Sequence, residues 1–249
     1  MKILAVDTTA KTAAVALTDG RKLLAMTTLN TQCTHSVTVL PAVESLLKSA
    51  AMTVDDIDML ACSAGPGSFT GVRIGVSLVK GLAFGSSKLC IGVSSLEALA
   101  HNLEGMDGII CPVMDARRNQ LYNALFCCDG GMISRITDDR LITAERLAQE
   151  LDGYGQRVWF VGDGCAIAEG RIIQRSETPW KYRLALELYR WQNGYSVAIT
   201  ALEKYEKAVA NGQNIGAFTP GALSPVYLRA SQAEREREEK LSNTRKADK

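Results

Sequence analysis

Short apolar runs separated by turn residues recur along the first hundred positions, and their period changes where a helix would take over from strands. Residues 3–6 are wholly apolar and predict a buried strand; residues 13–17 and 23–29 predict two more. Thr18-Asp19-Gly20-Arg21 lies between the second and third, which is hairpin-turn chemistry. From Ser36 the spacing becomes helical. Leu40, Val43, Leu47 and Ala50 recur at intervals of three and four, and Pro41 falls near the first turn, where a missing N–H costs least. Residues 58–63 predict a further strand, running into Gly65-Pro66-Gly67-Ser68-Phe69-Thr70-Gly71 and a helix to about Phe84. A short strand at 89–93 and a helix from Ser94 or Ser95 close the series.

The pattern then restarts. Residues 109–115 form another apolar run ending in Asp, and runs at 121–127 and 132–136 follow it. Asp7 and Asp115 stand 108 residues apart, each six or seven residues before its next strand. This predicts two related halves, each opening with strand, Asp, turn and strand. The second half continues with a helix capped by Thr143, a strand at 157–161 closed by Gly162-Asp163-Gly164, helices over 179–191 and 196–209, and an extended segment at 225–229. The expected divisions are residues 1–106, residues 107–228 and a charged tail at 229–249.

Composition narrows the classes. The 249 residues are 47% hydrophobic, enough for a sizeable core, and carry 28 Lys plus Arg against 27 Asp plus Glu. The tail holds seven basic and five acidic residues, so the body is nearly neutral and poorly suited to gripping nucleic acid unaided. Seven Cys, an odd number without a C-x-x-C pair, read as free thiols of a reducing compartment. The first apolar run is too short for a signal peptide, and no window is long enough for a membrane span. The expectation is a cytoplasmic protein with no membrane contact.

Three strand ends could carry nucleotide chemistry. Asp7-Thr8 and Asp115 offer carboxylates and hydroxyls beside turns, and Gly162 with Gly164 could let a backbone approach a nucleoside; ordinary turn chemistry is the competing reading. The Gly-Pro-Gly segment lacks the Lys of a P-loop. The helix after it has two apolar stripes, Val72, Val76, Val79 and Ala83 on one and Ile74, Leu78 and Leu82 on the other, with Arg73 and Lys80 on a narrow charged face. Its own sheet covers one stripe; a neighbouring helix or another subunit covers the second.

Taken together, Ile-Leu-Ala-Val-Asp7-Thr-Thr, Thr34-His35-Ser36 with Leu40-Pro41, Gly65-Pro-Gly-Ser-Phe-Thr-Gly-Val-Arg73, Gly92-Val-Ser-Ser-Leu96, Met114-Asp115-Ala-Arg117 and Pro225-Val-Tyr-Leu-Arg229 resemble the TsaB family, also called YeaZ. The resemblance spans about residues 1–230 and is weakest at 176–216. It implies an α/β, actin-like ATPase (ASKHA, RNase H-like) fold of two subdomains, each a mixed β-sheet with flanking helices. It also implies a part in making N6-threonylcarbamoyladenosine in tRNAs that read codons beginning with A, as a non-catalytic scaffold for a metal-bearing TsaD-type subunit. A TsaE-type ATPase would join the assembly, the chain would pair with itself when alone, and tRNA would be met only indirectly. In the catalytic paralog two His at i, i+4 hold a metal; here Ser95 and Leu99 match those positions, and His101, about 200° further round the helix, does not replace them. The implied chain needs no cofactor or metal; Asp7, Thr8, Asp115, Gly162 and Gly164 would line a weak or vestigial adenine-nucleotide cleft. The implied partner-binding residues are His35, Leu40, Val43, Val72, Arg73, Val76, Val79 and Lys80. On this view Val76→Arg abolishes association and leaves the monomer folded. The alternative is a nucleotide hydrolase or phosphotransferase of the same fold, active alone through Asp7 and Asp115.

Overall fold

A computed structural model describes residues 1–31 and 33–229; the charged tail beyond Arg229 lies outside the described residues. The first half opens with an antiparallel meander, β1 (Lys2–Asp7), β2 (Ala13–Asp19) and β3 (Lys22–Leu29). There follow α1 (His35–Ser49), β4 (Met59–Gly65), α2 (Phe69–Leu82), β5 (Leu89–Ser94) and α3 (Ser95–His101). The strands lie in the order β3-β2-β1-β4-β5, with β4 and β5 parallel to β1.

The period-two rule places this sheet between two layers of helix. Leu4 and Val6 face one side, where Val39, Val43, Leu46 and Leu47 of α1 and Val72, Val76 and Val79 of α2 cover them. Ile3 and Ala5 face the other side, beneath Val197, Ala198 and Ala201. Each large aliphatic side chain so buried contributes about 1.5–3 kcal/mol before the ordering entropy is subtracted. Ser68 caps α2 by accepting the Gly71 N–H at 3.3 Å, which begins the helix at the end of the Gly-Pro-Gly turn.

The second half contains β6 (Gly108–Asp115), β7 (Gln120–Asn123), β8 (Phe126–Asp129), β9 (Met132–Arg135), β10 (Arg140–Thr143), α4 (Ala144–Asp152), β11 (Val158–Val161), α5 (Cys165–Arg171), β12 (Tyr182–Leu184) and α6 (Glu187–Arg190). β11 runs parallel to β6, while β7 and β8 pair antiparallel with its two ends. The single strand expected at 121–127 is therefore split. Asn123 is buried at the break and donates to Pro112 O and Ala124 O, holding the chain as it passes from one end of β6 to the other. The helix expected over 179–191 is reduced to a single 3-10 turn at Pro179–Lys181 and the four residues of α6. Tyr182 instead stacks on Phe160, and residues 182–184 extend the sheet beside β11. Here tertiary pairing overrides a locally helical pattern. The Thr143 cap is as expected, accepting the Arg146 N–H at 3.3 Å.

The two halves do not divide the chain cleanly at 106. α7 (Gly194–Ala210) returns to the first sheet, supplying the layer over Ile3 and Ala5. Gly194 permits this: a Cβ there would stand 2.6 Å from the Val15 and Ala16 backbone. Leu223 returns as well, into the core beneath α1 and α2. No helix among the described residues is long and apolar enough to cross a membrane.

Candidate functional site

Asp7 ends β1 with its carboxylate buried and fully engaged. Oδ2 accepts from Ser63 Oγ at 2.5 Å, and Oδ1 accepts from Thr9 N at 2.8 Å and Thr9 Oγ1 at 2.6 Å. Burial raises its pKa above the usual carboxylate range, and the hydrogen bonds from Ser63 and Thr9 pull in the opposite direction. Thr8 is equally occupied: its hydroxyl donates to Gly71 O at 2.7 Å. The Gly-rich turn lies directly on this strand end, and a Cβ on Gly71 would sit 2.0 Å from Thr8 O. The first-half markers of a nucleotide cleft are thus used to fasten the turn to β1.

The second-half markers differ. Asp115 is exposed, and its Oδ1 accepts the Arg117 N–H at 2.7 Å. Asp163 accepts the Asp115 N–H at 3.2 Å, and burial pushes its carboxyl up to about 6. Gly162 and Gly164 do allow a close backbone approach, but the visitor is the chain itself. Cβ atoms there would stand 2.3 and 2.9 Å from Val113 O, and Gly164 donates its N–H to that oxygen at 3.0 Å. A nucleoside would have to displace this contact, so these glycines do not fit the role expected of them.

α3 fills the space between the halves. Leu96, Leu99, Ala100 and Leu103 pack with Ile110, Met114 and Phe126 of the second sheet and with Val161. The Leu99 side chain lies 3.2 Å from where a Gly162 Cβ would be. Ser95 is buried, with no hydrogen-bond partner for its hydroxyl among the described residues. The two positions matched to metal-binding His are therefore an apolar wedge and a sealed hydroxyl. No group of three or more His, Cys, Asp or Glu that could hold a metal ion occurs among the described residues. His101 instead approaches Glu104 and Glu203, at 3.5 and 3.7 Å.

The residues expected to meet a partner separate into two groups. Val43, Val72, Val76 and Val79 are core residues under α1 and α2, at most 4% exposed. This corrects the expectation that they form a binding face: their stripe is the one the chain's own sheet covers. Val76→Arg would put a charge in the core and unfold the monomer. His35 is half-buried and its Nε2 lies 2.7 Å from Ala10 O, tying the start of α1 to the β1–β2 turn. Leu40 is exposed, as are Val37 at 68% and Phe84 at 90%; Ile74, Leu78, Leu82 and Lys80 are half-buried. The outer face of α1 and α2 is thus the uncovered apolar one. Phe84, just past α2, was not singled out from sequence, although an aromatic standing before Gly85-Ser86-Ser87 is a usable signal. A cavity of about 740 Å³ opens at the N-terminal ends of these helices, lined by Lys11, Cys33, His35, Ser68 and Ile74 among others.

Arg73 is engaged elsewhere. Its guanidinium carbon lies 3.9 Å from the Phe69 ring centroid, and its Nε donates to the Tyr227 hydroxyl at 2.9 Å. The segment at 225–229, expected to be extended, joins no strand. It crosses the Gly-Pro-Gly turn through Val226 N–H to Ala64 O at 2.7 Å.

The sequence matches the family described as TsaD: tRNA N6-adenosine threonylcarbamoyltransferase, over residues 23–236. It is 38% identical over 172 residues to the tRNA threonylcarbamoyladenosine biosynthesis protein TsaB of Bacillus subtilis, covering 69% of this chain and 75% of that one. It is 37% identical over 124 residues to the protein of the same name from Escherichia coli, covering 49% and 53%. Among solved structures, YeaZ from Pseudomonas aeruginosa superposes with a TM-score of 0.73 at 27% identity, over 91% of this chain and 99% of that one. Component A of the Acidaminococcus fermentans (R)-2-hydroxyglutaryl-CoA dehydratase superposes with a TM-score of 0.51 at 10% identity, over 84% and 99%, a likeness of fold alone. The fold is the actin-like ATPase fold, and the chain belongs to the TsaB (YeaZ) family.

Proposed function

We propose that this TsaB-family chain serves the formation of N6-threonylcarbamoyladenosine in tRNA as a non-catalytic subunit that binds and organises a TsaD-type catalytic subunit. The observation that carries this reading is the outer face of α1 and α2, where Val37, Leu40 and Phe84 are exposed beside half-buried Ile74, Leu78 and Leu82. Large apolar side chains left exposed on one outer layer of a folded chain support an interaction surface there. The same face would let two copies pair about a two-fold axis when the catalytic subunit is absent. A TsaE-type ATPase would then join the assembly.

The interior supports a role without chemistry of its own. Asp7 spends its acceptor capacity on Ser63 and Thr9, Gly162 and Gly164 pack on Val113, and Leu99 stands where the paralog would need a ligand. On this reading the chain requires neither metal nor nucleotide, and it works in the cytoplasm.

Reconstitution of threonylcarbamoyl transfer to tRNA, with and without this chain, tests the role. Transfer is expected to fall to background without it; full transfer in its absence would sink the proposal. The surface is tested by Leu78→Arg, expected to prevent co-elution with the catalytic subunit while the melting temperature holds. Val76→Arg, by contrast, is expected to cost more than about 4 kcal/mol of fold stability. Stoichiometric ATP binding with turnover by the isolated chain, measured by calorimetry with magnesium, would favour a free-standing nucleotide hydrolase instead.

A further inference from the structure

The near-neutral total charge conceals a line of arginines where the two halves meet. Arg73 on α2 stacks on Phe69, and Tyr227 stacks on the same ring at a centroid distance of 4.8 Å. Two residues along the C-terminal segment, Arg229 donates to Ala116 O of the second half at 2.8 Å. Arg117 and Arg118 follow directly and are exposed. Asn119 then accepts from Arg171 of α5 at 2.8 Å. These contacts join five arginines in one path from α2 to α5. Among the described residues only Arg171 of the five has a carboxylate within 4.0 Å, that of Glu145. Asp115 and Asp163 lie at the base of the loop, where they hold the Arg117 and Asp115 N–H groups.

The loop itself is costly to build. Arg117, Arg118 and Asn119 are consecutive residues at φ of 62, 53 and 60°, a left-handed run that L-residues adopt against steric resistance. Glycine would relieve it, yet two exposed arginines occupy it.

We propose that this junction is a direct RNA-binding surface. The arginines meet backbone phosphates, and the stacked group of Phe69, Arg73 and Tyr227, with Tyr227 39% exposed, offers a platform for an unpaired base. The choice of RNA rests on the chain's proposed place in a tRNA-modifying assembly. This proposal departs from the expectation, implied by the family resemblance, that tRNA is met only indirectly.

The test is fluorescence anisotropy of the full chain with a labelled anticodon stem–loop RNA across a range of salt concentrations. The wild-type chain is expected to bind with a marked salt dependence. Arg117→Asn combined with Arg118→Asn is expected to weaken binding at least tenfold and to reduce the log–log salt slope by about 1.4, two phosphate contacts at about 0.7 each. Its melting temperature should hold or rise, because Asn tolerates left-handed backbone better than Arg. Tyr227→Leu should weaken binding about tenfold. Salt-independent or absent binding by the wild-type chain would overturn the proposal, as would an unchanged affinity in the double variant. So would a double variant that loses the catalytic subunit while keeping RNA, since the surface would then be a protein interface. A double variant that keeps wild-type RNA affinity, in an assembly that needs this chain for transfer, overturns this inference and leaves the proposed function standing. Loss of RNA binding alongside transfer that ignores the chain does the reverse.

Discussion

Asp7 and Asp115 end the first strands of two halves built on one plan, yet one carboxylate is sealed and the other is open to solvent. The local sequences do not explain this. Each Asp follows an apolar run and has its Oδ1 accepting the N–H two residues ahead. The neighbours differ. In the first half β4 leads into the Gly-Pro-Gly turn, which folds back over Thr8 and Thr9, and Ser63 reaches across to the carboxylate. In the second half β11 leads into Gly162-Asp163-Gly164, which supplies another acid and no hydroxyl. The lesson is that a strand-end carboxylate becomes a fastening or a solvent-facing charge according to what the adjacent strand brings to it.

This contrast can be broken by substitution. The largest effect should follow Asp7→Ala, which leaves the buried donors of Ser63 and Thr9 without their acceptor. A loss of about 3 kcal/mol is expected in chemical denaturation, with Asp7→Asn recovering part of it because an amide oxygen still accepts.

A smaller effect, opposite in sign, is expected of Asp163→Asn. The folded pKa of Asp163 is raised to about 6 from an ordinary value of 3.8. Between these values the folded chain holds a proton that the unfolded chain has released, so stability falls as pH rises through this window. The penalty is complete above pH 6 and absent below 3.8. The variant, which still accepts the Asp115 N–H, should exceed the wild type by on the order of 2 kcal/mol at pH 7.5 and match it near pH 4. Thermal unfolding at both pH values checks this; a pH-independent difference would remove burial of the charge as the cause.

The smallest change should follow Asp115→Ala. It removes one exposed acceptor from the Arg117 N–H and should shift the melting temperature by less than about 3 °C. A loss matching that of Asp7→Ala would end the contrast between the two turns.

Much of this architecture was legible in the order of residues. The meander, the helix stripes and the restart at residue 109 follow from periodicities of 2 and 3.6, which depend only on where side chains point from a strand or a helix. The matches to Ser95 and Leu99 likewise needed only alignment with a known pattern. The valines of α2 show where that reading stops. Two apolar stripes were visible, but which one faced the sheet could not be decided from spacing. The structure buries Val72, Val76 and Val79 and leaves Ile74, Leu78 and Leu82 half-buried, so the stripe expected to meet a partner is the one the sheet covers. The strand at 182–184 was missed for a related reason, since its support is β11, some twenty residues earlier.

What the sequence determined by itself is the elements of the first sheet and its two flanking helices α1 and α2, the two-part plan and the family. These rest on short-range geometry and on motifs whose residues are neighbours in the chain. The tertiary structure alone decided that α7 belongs to the first sheet, that α3 wedges the halves together, and that Asp7 is closed while Asp115 is open. It also brought Arg73, Arg229 and Arg117 into one line, although 156 positions separate the first from the second. The physical reason is common to all of these. Burial, hydrogen-bond satisfaction and charge proximity depend on which distant segments arrive beside a residue, and one-dimensional periodicity carries no record of that arrival.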